Sequence, residues 1–185
     1  TQGMVQSAAY KNSITGKYIS PSDIEDITNP TDPQDNSKLE VLFEKMSKSK
    51  YNGIDPESVI KRYGADTARM FILFKAPPEK DLEWGDSDVE GQYRFLCRIW
   101  KLFSDYTNNH SFQGEDKLNQ ENENLLLKSI NIAIKEISND IKNNQFNTAI
   151  SELMKFYNSI SSNLNHVNKD LRRELLGIRC SFFKN

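Results

Sequence analysis

Apolar positions recur at steps of three and four through most of the second half of the chain. Val89, Tyr93, Leu96, Ile99, Trp100 and Phe103 mark one stripe. Leu126, Ile130, Ala133, Ile134, Ile137 and Ile141 mark a second, and Phe146, Ala149, Ile150, Leu153, Met154, Tyr157 and Ile160 a third. That period belongs to helices with one buried face. It predicts a helix capped by Asp86 or Ser87 and reaching about Tyr106, then two more. Only Asn143-Asn144-Gln145 separates the second stripe from the third, a link so short that the two helices should pack antiparallel, as in a helical bundle. The polar stretch from Thr107 to Asn124 reads as the connection before them. Beyond residue 165 only Asp170 to Gly177 has a helical pattern, and the last aromatics follow no evident plan.

The first half is patterned differently. Ile14 to Ile19 reads as a short hairpin around Gly16. Pro21, Pro30 and Pro33 sit among many Asp and Asn residues and predict a loop. Lys38 to Phe43 alternates partly, as a strand would. Up to residue 44 the chain looks more like a surface insertion than a core. Asp55 then offers a helix N-cap, and Pro56 fits the first helical position, where its missing N–H costs nothing. Val59, Ile60 and Tyr63 give that helix an apolar side, and Gly64 suits a left-handed residue at its end. A further helix starts at Ala65 or Asp66, carries Met70, Phe71, Leu73 and Phe74, and stops at Pro77-Pro78. The Met70–Phe74 face is expected to lack part of its partner surface.

Composition narrows the chemistry. With 27% charged and 37% hydrophobic residues the chain is polar, yet its apolar residues cluster enough to form a core. Its formal net charge is -2, so no overall positive field draws in polyanions, and any contact with nucleic acid needs a local patch. Cys97, Cys180, His110 and His166 are scattered along the chain, which argues against a disulfide scaffold or a structural metal site. The longest apolar run, Met70 to Phe74, is far too short to span a bilayer, and no membrane partner is expected.

One stretch carries chemistry: Lys45-Met46-Ser47-Lys48-Ser49-Lys50, set just before the capped helix. Three ammonium groups alternate with two hydroxyls and one apolar anchor. Such a loop can present several cationic and hydroxyl donors to a triphosphate at once, with backbone N–H groups adding more. A flexible lysine can follow a pyrophosphate as charge builds on it, which stabilises the transition state more than the ground state. Met46 would pin the loop to the core. Arg94, Arg98 and Lys101 lie at helical spacing and could meet RNA phosphates. Asp66 and Arg69 suit a surface i,i+3 pair, and Glu83-Trp84 a junction anchor.

Lys45 to Ser49 resembles the KMSKS loop of class I aminoacyl-tRNA synthetases, and the wider stretch resembles the leucyl type. The match runs from Lys45 to Glu57, through Tyr63-Gly64-Ala65-Asp66-Thr67-Ala68-Arg69, to Ala76-Pro77-Pro78-Glu79-Lys80-Asp81-Leu82-Glu83-Trp84. The Asn52-Gly53 order sets it apart from the isoleucyl, valyl and methionyl types. Val89-Glu90-Gly91, Arg94-Phe95-Leu96 with Trp100, and Phe146-Asn147-Thr148-Ala149-Ile150 are similar to the anticodon-binding helical domain. The resemblance covers roughly residues 1–160.

The resemblance implies a mainly α chain. Residues 1–84 would be the C-terminal part of a Rossmann-type catalytic domain, with a small β insertion at about 8–43 and the KMSKS loop at 45–49. Residues 85–165 would be part of an antiparallel helical anticodon-binding domain, and 166–185 an atypical tail. It further implies ATP-dependent activation of leucine and its transfer to tRNA(Leu), with Mg²⁺ arriving on the nucleotide. Lys48 would be the catalytic loop lysine, Lys45, Met46, Ser47 and Ser49 would complete the ATP-binding loop, and Lys50 would add positive potential. Arg94, Arg98 and Lys101 would be tRNA contacts, with Arg172 and Arg173 weaker ones.

The family's other ATP motif, His-Ile-Gly-His, does not occur here. The chain also begins at Thr1, so it is expected to be a fragment that is inactive without the remainder of the synthetase. The alternative is a non-catalytic, synthetase-derived helical module that binds tRNA or protein. The bacterial-type pattern and the run at Ala76–Asp81 suggest the mitochondrial matrix, with bacterial cytoplasm as the alternative.

Overall fold

A computed structural model describes residues 3–108 and 120–163. The described residues divide into two compact units, one ending at Tyr93 and the other starting at Arg94. The chain is mainly helical with a small sheet, as the sequence pattern predicts.

The first unit is organised by strand β1 (Val5–Asn12), where the sequence pattern predicts a turn-rich insertion instead. β2 (Tyr18–Ile19) and β3 (Leu39–Lys45) pair with it antiparallel, in a register running from Gln6 opposite Lys45 to Asn12 opposite Leu39. β4 (Leu82–Glu83) pairs parallel with its first residues, Val5 and Gln6. β1 has neighbours on both edges and buried residues on both faces, Ser7 and Ala9 on one, Tyr10 and Asn12 on the other. A strand covered on both faces loses the simple alternation that marks a strand in sequence.

The hairpin around Gly16 is present, but Ile14 and Thr15 belong to its turn rather than to a strand. The buried Asn12 side chain explains this, because its Oδ1 accepts from the Ile14 and Thr15 N–H groups at 2.9 and 3.0 Å. Ile14 is left 81% exposed. Asn12 Nδ2 also donates to Asp32 Oδ2 at 2.7 Å and Ser37 Oγ at 2.9 Å, tying the proline-containing loop to β1. Leu39, Tyr10 and Ile24 bury one another beneath that loop.

Helix α1 (Pro56–Tyr63) starts as expected. Asp55 accepts from the Glu57 and Ser58 N–H groups at 3.2 and 3.0 Å, and Pro56 occupies the first turn. Gly64 has a positive φ of 84°, but its ψ of 154° is extended, so it is not the left-handed cap expected. It ends α1 and opens α2 (Ala65–Lys75) in a single residue, a conformation for which only glycine is suited. Of the Met70–Phe74 run, Phe71 is fully buried with Val59, Leu82 and Val89 and packs edge-on to Trp84, ring centroids 4.9 Å apart. Ile72 and Leu73 are each 42% exposed, so part of that face is uncovered within the unit.

The second unit takes the later part of α3 (Asp86–Asn108) together with α4 (Gln120–Lys142) and α5 (Phe146–Asn163). α4 and α5 form the expected antiparallel pair. Asn144, in the left-handed region at φ 57°, makes the turn, and Ser129 and Ser159 meet across the pair, 3.1 Å apart. Leu126, Ile130 and Ile160 form its core, with Leu102 and Phe156 packed on it. Of the expected polar link, residues 109–119 lie outside the described residues, Thr107 belongs to α3, and the stretch from Gln120 belongs to α4, with Glu121 and Glu123 in its first turn, where the helix dipole favours acids. Several stripe assignments change. Trp100 is 78% exposed, whereas Phe95, outside the stripe, is buried against Tyr157. Ile134 and Ile141, on the second stripe, are exposed as well. His110, His166, Arg172, Arg173, Cys180 and the expected helix from Asp170 lie outside the described residues.

Candidate functional site

The basic run begins where β3 ends. Lys45 still pairs with Gln6, and the Met46 N–H reaches the Val5 carbonyl at 3.4 Å, so the ladder runs on for one more residue. Ser47 is extended, and Lys48–Lys50 then closes one turn of 3₁₀ helix. Ser47 and Ser49 hydroxyls lie 2.9 Å apart inside that turn. Tyr51 leaves it in the left-handed conformation, φ 54° and ψ 23°, uncommon for a bulky residue. After Asn52 and Gly53, Ile54 packs on the core around Phe71, and Asp55 starts α1.

Sequence reasoning made Met46 the pin of this loop. Met46 is half-buried and belongs to none of the buried clusters among the described residues. The pin is Asn52, which is 3% exposed. Its Nδ2 donates to the Ser7 carbonyl at 3.2 Å and the Glu44 carbonyl at 3.1 Å, and also lies 3.4 Å from the Lys45 carbonyl. Its Oδ1 accepts from the Ser47 N–H at 2.8 Å. One side chain therefore joins the end of the β1–β3 ladder to the first residue of the turn.

The three lysines differ in circumstance. Lys50 is tied down: its Nζ is 3.0 Å from Glu44 Oε1 and 5.6 Å from the centre of the Tyr18 ring. Tyr18 donates its hydroxyl to Glu44 Oε2 at 2.8 Å. That hydrogen bond is the main cause holding the Glu44 carboxyl below its ordinary range, with Lys50 adding to it. The same bond pushes the Tyr18 hydroxyl above its usual value. Lys45 and Lys48 are exposed, and among the described residues neither has an ion-pair partner. The loop thus offers two free ammonium groups and two hydroxyls, a donor set for an anion.

Among the described residues no group of three or more His, Cys, Asp or Glu could hold a metal ion. Arg94, Arg98 and Lys101 are all exposed on α3. Arg98 is partly engaged in packing, its guanidinium 5.8 Å from the ring centres of both Phe95 and Tyr157. Asp66 and Arg69 form the expected surface pair at 2.9 Å. Trp84 donates to Asp86 at 2.9 Å and stacks edge-on to Phe71. No described helix is long and apolar enough to cross a membrane.

The family model for class I tRNA synthetases (I, L, M and V) matches residues 43–85, the stretch that holds this loop, α1, α2 and β4. A leucine–tRNA ligase from Prochlorococcus marinus subsp. pastoris MED4 is 89% identical over 176 residues, 95% of this chain and 20% of that protein. The ligase from strain MIT 9515 is 82% identical over 94% of this chain and 20% of its own length. That from strain NATL1A is 56% identical over 96% and 21%. The chain therefore spans about a fifth of the curated relatives it matches. A solved structure, a ternary complex of Agrobacterium radiobacter K84 LeuRS with tRNA and LeuAMS, shares the fold with a TM-score of 0.58 at 24% identity. That likeness covers 88% of this chain and 18% of that one. These relatives are bacterial, which leaves the mitochondrial matrix expected from the sequence without support.

Proposed function

The chain belongs to the leucine–tRNA ligase family of class I synthetases, and from that premise we propose that it supplies the phosphate-gripping loop of an enzyme that activates leucine with ATP and transfers it to tRNA(Leu). The polypeptide that carries the segment would work in the bacterial cytoplasm. Residues 1–84 act as the end of the Rossmann-type catalytic domain, with the β insertion near 8–43. Residues 85–165 are part of the anticodon-binding helical domain, and 166–185 an atypical tail.

In the activation step a leucine carboxylate oxygen attacks the α-phosphorus of ATP. The bond to the bridging oxygen breaks, and pyrophosphate departs with the charge. Lys48, at the crest of the turn, meets that growing charge, and Lys45 backs it from the strand end. Whichever of Ser47 and Ser49 accepts in the bond between them keeps its own proton for a phosphate oxygen, and Met46 shields the loop's base. Donors fixed in place before the charge appears lower the barrier without reorganising during the reaction. The observation that carries this reading is the division among the lysines: Lys45 and Lys48 are exposed and have no ion-pair partner among the described residues, while Glu44 holds Lys50 back.

Mg²⁺ fits the loop poorly as a protein-held ion, since the donors are cationic or hydroxyl and the carboxylate that contacts the loop, Glu44, is already shared by Tyr18 and Lys50. It would be held by the ATP phosphates themselves. Arg94 and Lys101, with Arg98 in part, would contact tRNA phosphates, which position RNA without reading its sequence.

The test exchanges this chain for the matching segment of the full-length MED4 relative. Leucine-dependent ATP–pyrophosphate exchange should be retained in that host and absent from the isolated chain. A host that binds tRNA(Leu) but does not exchange would favour the non-catalytic module. Exchange by the isolated chain would overturn the claim that the remainder is needed.

A further inference from the structure

We infer that Asn52 is a positioning residue for the lysine loop, setting where Lys48 stands by transmitting the strand register to Ser47. This rests on the reading of the loop as the ATP grip. The two free ammonium groups are useful only if the turn beneath them has a fixed place. The ladder ends at Met46, whose bond to Val5 is already long at 3.4 Å. Beyond it the turn's own bonds are internal: Lys50 N–H to the Ser47 carbonyl at 3.1 Å, Tyr51 N–H to the Lys48 carbonyl at 3.3 Å, and Ser47 to Ser49. Such bonds give the turn a shape but not a location.

Asn52 supplies the location from one side and Lys50 from the other. Its amide grips the Ser7 and Glu44 carbonyls, on two strands, and offers its oxygen to the Ser47 N–H, one residue before Lys48. The left-handed Tyr51 lets the chain double back so that Asn52 lies under the turn it has just left. A carboxylate at this site would lose the donated bonds. An alanine would lose all of them and leave the Ser47 N–H and two carbonyls to find other partners. Because a displacement of about 1 Å in a catalytic group can cost on the order of a hundredfold in rate, a loosened turn should show in the chemical step.

The experiment uses the full-length exchange host with Asn52→Ala, Asn52→Asp and Lys48→Ala. Active sites are counted by the burst of adenylate, so that rate per competent site is separated from the fraction folded. Asn52→Ala should lower the exchange rate per titrated site at least about tenfold, with KM for leucine within about twofold. Asn52→Asp keeps the acceptor for Ser47 and should be faster per site than Asn52→Ala, although a buried charge makes it no more stable. A purely structural residue would give the stability order alone, with the rate per site unchanged. If Asn52→Ala does not fold, Asn52→Ser replaces it in the same comparison. Parental rates per site in the Asn52 variants, with Lys48→Ala slow, would overturn this inference and leave the loop's function standing. A parental rate in Lys48→Ala would remove both.

Discussion

Lys50 Nζ lies 3.0 Å from Glu44 Oε1, and the Tyr18 hydroxyl lies 2.8 Å from the other oxygen of the same carboxylate. The third lysine of the run is thereby turned into a tether between the loop and β3, and Lys11 also faces the Tyr18 ring at 5.8 Å.

This network should make stability depend on pH at both ends of the scale. Glu44 is held below its ordinary pKa in the folded state, so its contribution is fully present above the unfolded value of about 4.3 and is lost as pH falls through the folded one. Tyr18 is raised, so its contribution is present below about 10 and is lost as pH rises through the raised value. Urea midpoints of the chain and of Glu44→Gln, compared from about pH 6 down to pH 3, should converge in acid. Tyr18→Phe should likewise blunt the alkaline loss. Parallel curves throughout would mean the network adds nothing to folding.

The N-cap of α1 gives a second expectation. Asp55 accepts two otherwise unsatisfied backbone donors and is solvent-exposed. Asp55→Ala should cost about 1 kcal/mol of stability, within a range of roughly 0.5–2. Asp55→Asn should recover most of it, because the acceptor remains. Equal losses in the two variants would point to charge rather than capping.

These helices were legible because a cap, a proline and a three-four stripe are local signals. Asp55, Pro56 and the Phe146–Ile160 stripe needed no knowledge of the rest of the fold. β1 was not legible, because Ser7, Ala9, Tyr10 and Asn12 are buried on both faces and the period-2 signal vanishes. Asn52 was read only as part of a motif. Its work depends on the carbonyl of Ser7, 45 residues away, and on a strand register that no local pattern reveals. The Glu44–Tyr18–Lys50 network was hidden for the same reason, and so Lys50 looked like one more free charge. Trp100 misled in the other direction: it falls on an apolar period yet lies on the outer side of α3. The loop's chemistry was readable from residue types alone, whereas the order among its lysines was not.

The core of the first unit offers a third expectation. Phe71 is fully buried among Val59, Leu82 and Val89 and meets the Trp84 ring edge-on. Phe71→Ala should destabilise by about 3–5 kcal/mol through lost burial and a residual cavity. Ile72→Ala, one residue on and 42% exposed, should cost far less. Thermal unfolding of both variants checks this, and comparable losses would place the core elsewhere.

The most direct test of the loop is the rate of leucine-dependent ATP–pyrophosphate exchange in the full-length exchange host, measured for Lys48→Ala beside Lys50→Ala. Lys48→Ala should lower kcat on the order of 10²–10³-fold, the usual effect of removing one preorganised donor. Lys50→Ala, whose charge Glu44 already holds, should cost less than about fivefold, the reach of a surface ion pair. An unchanged kcat in Lys48→Ala, with Lys50→Ala the slow variant, would contradict the account.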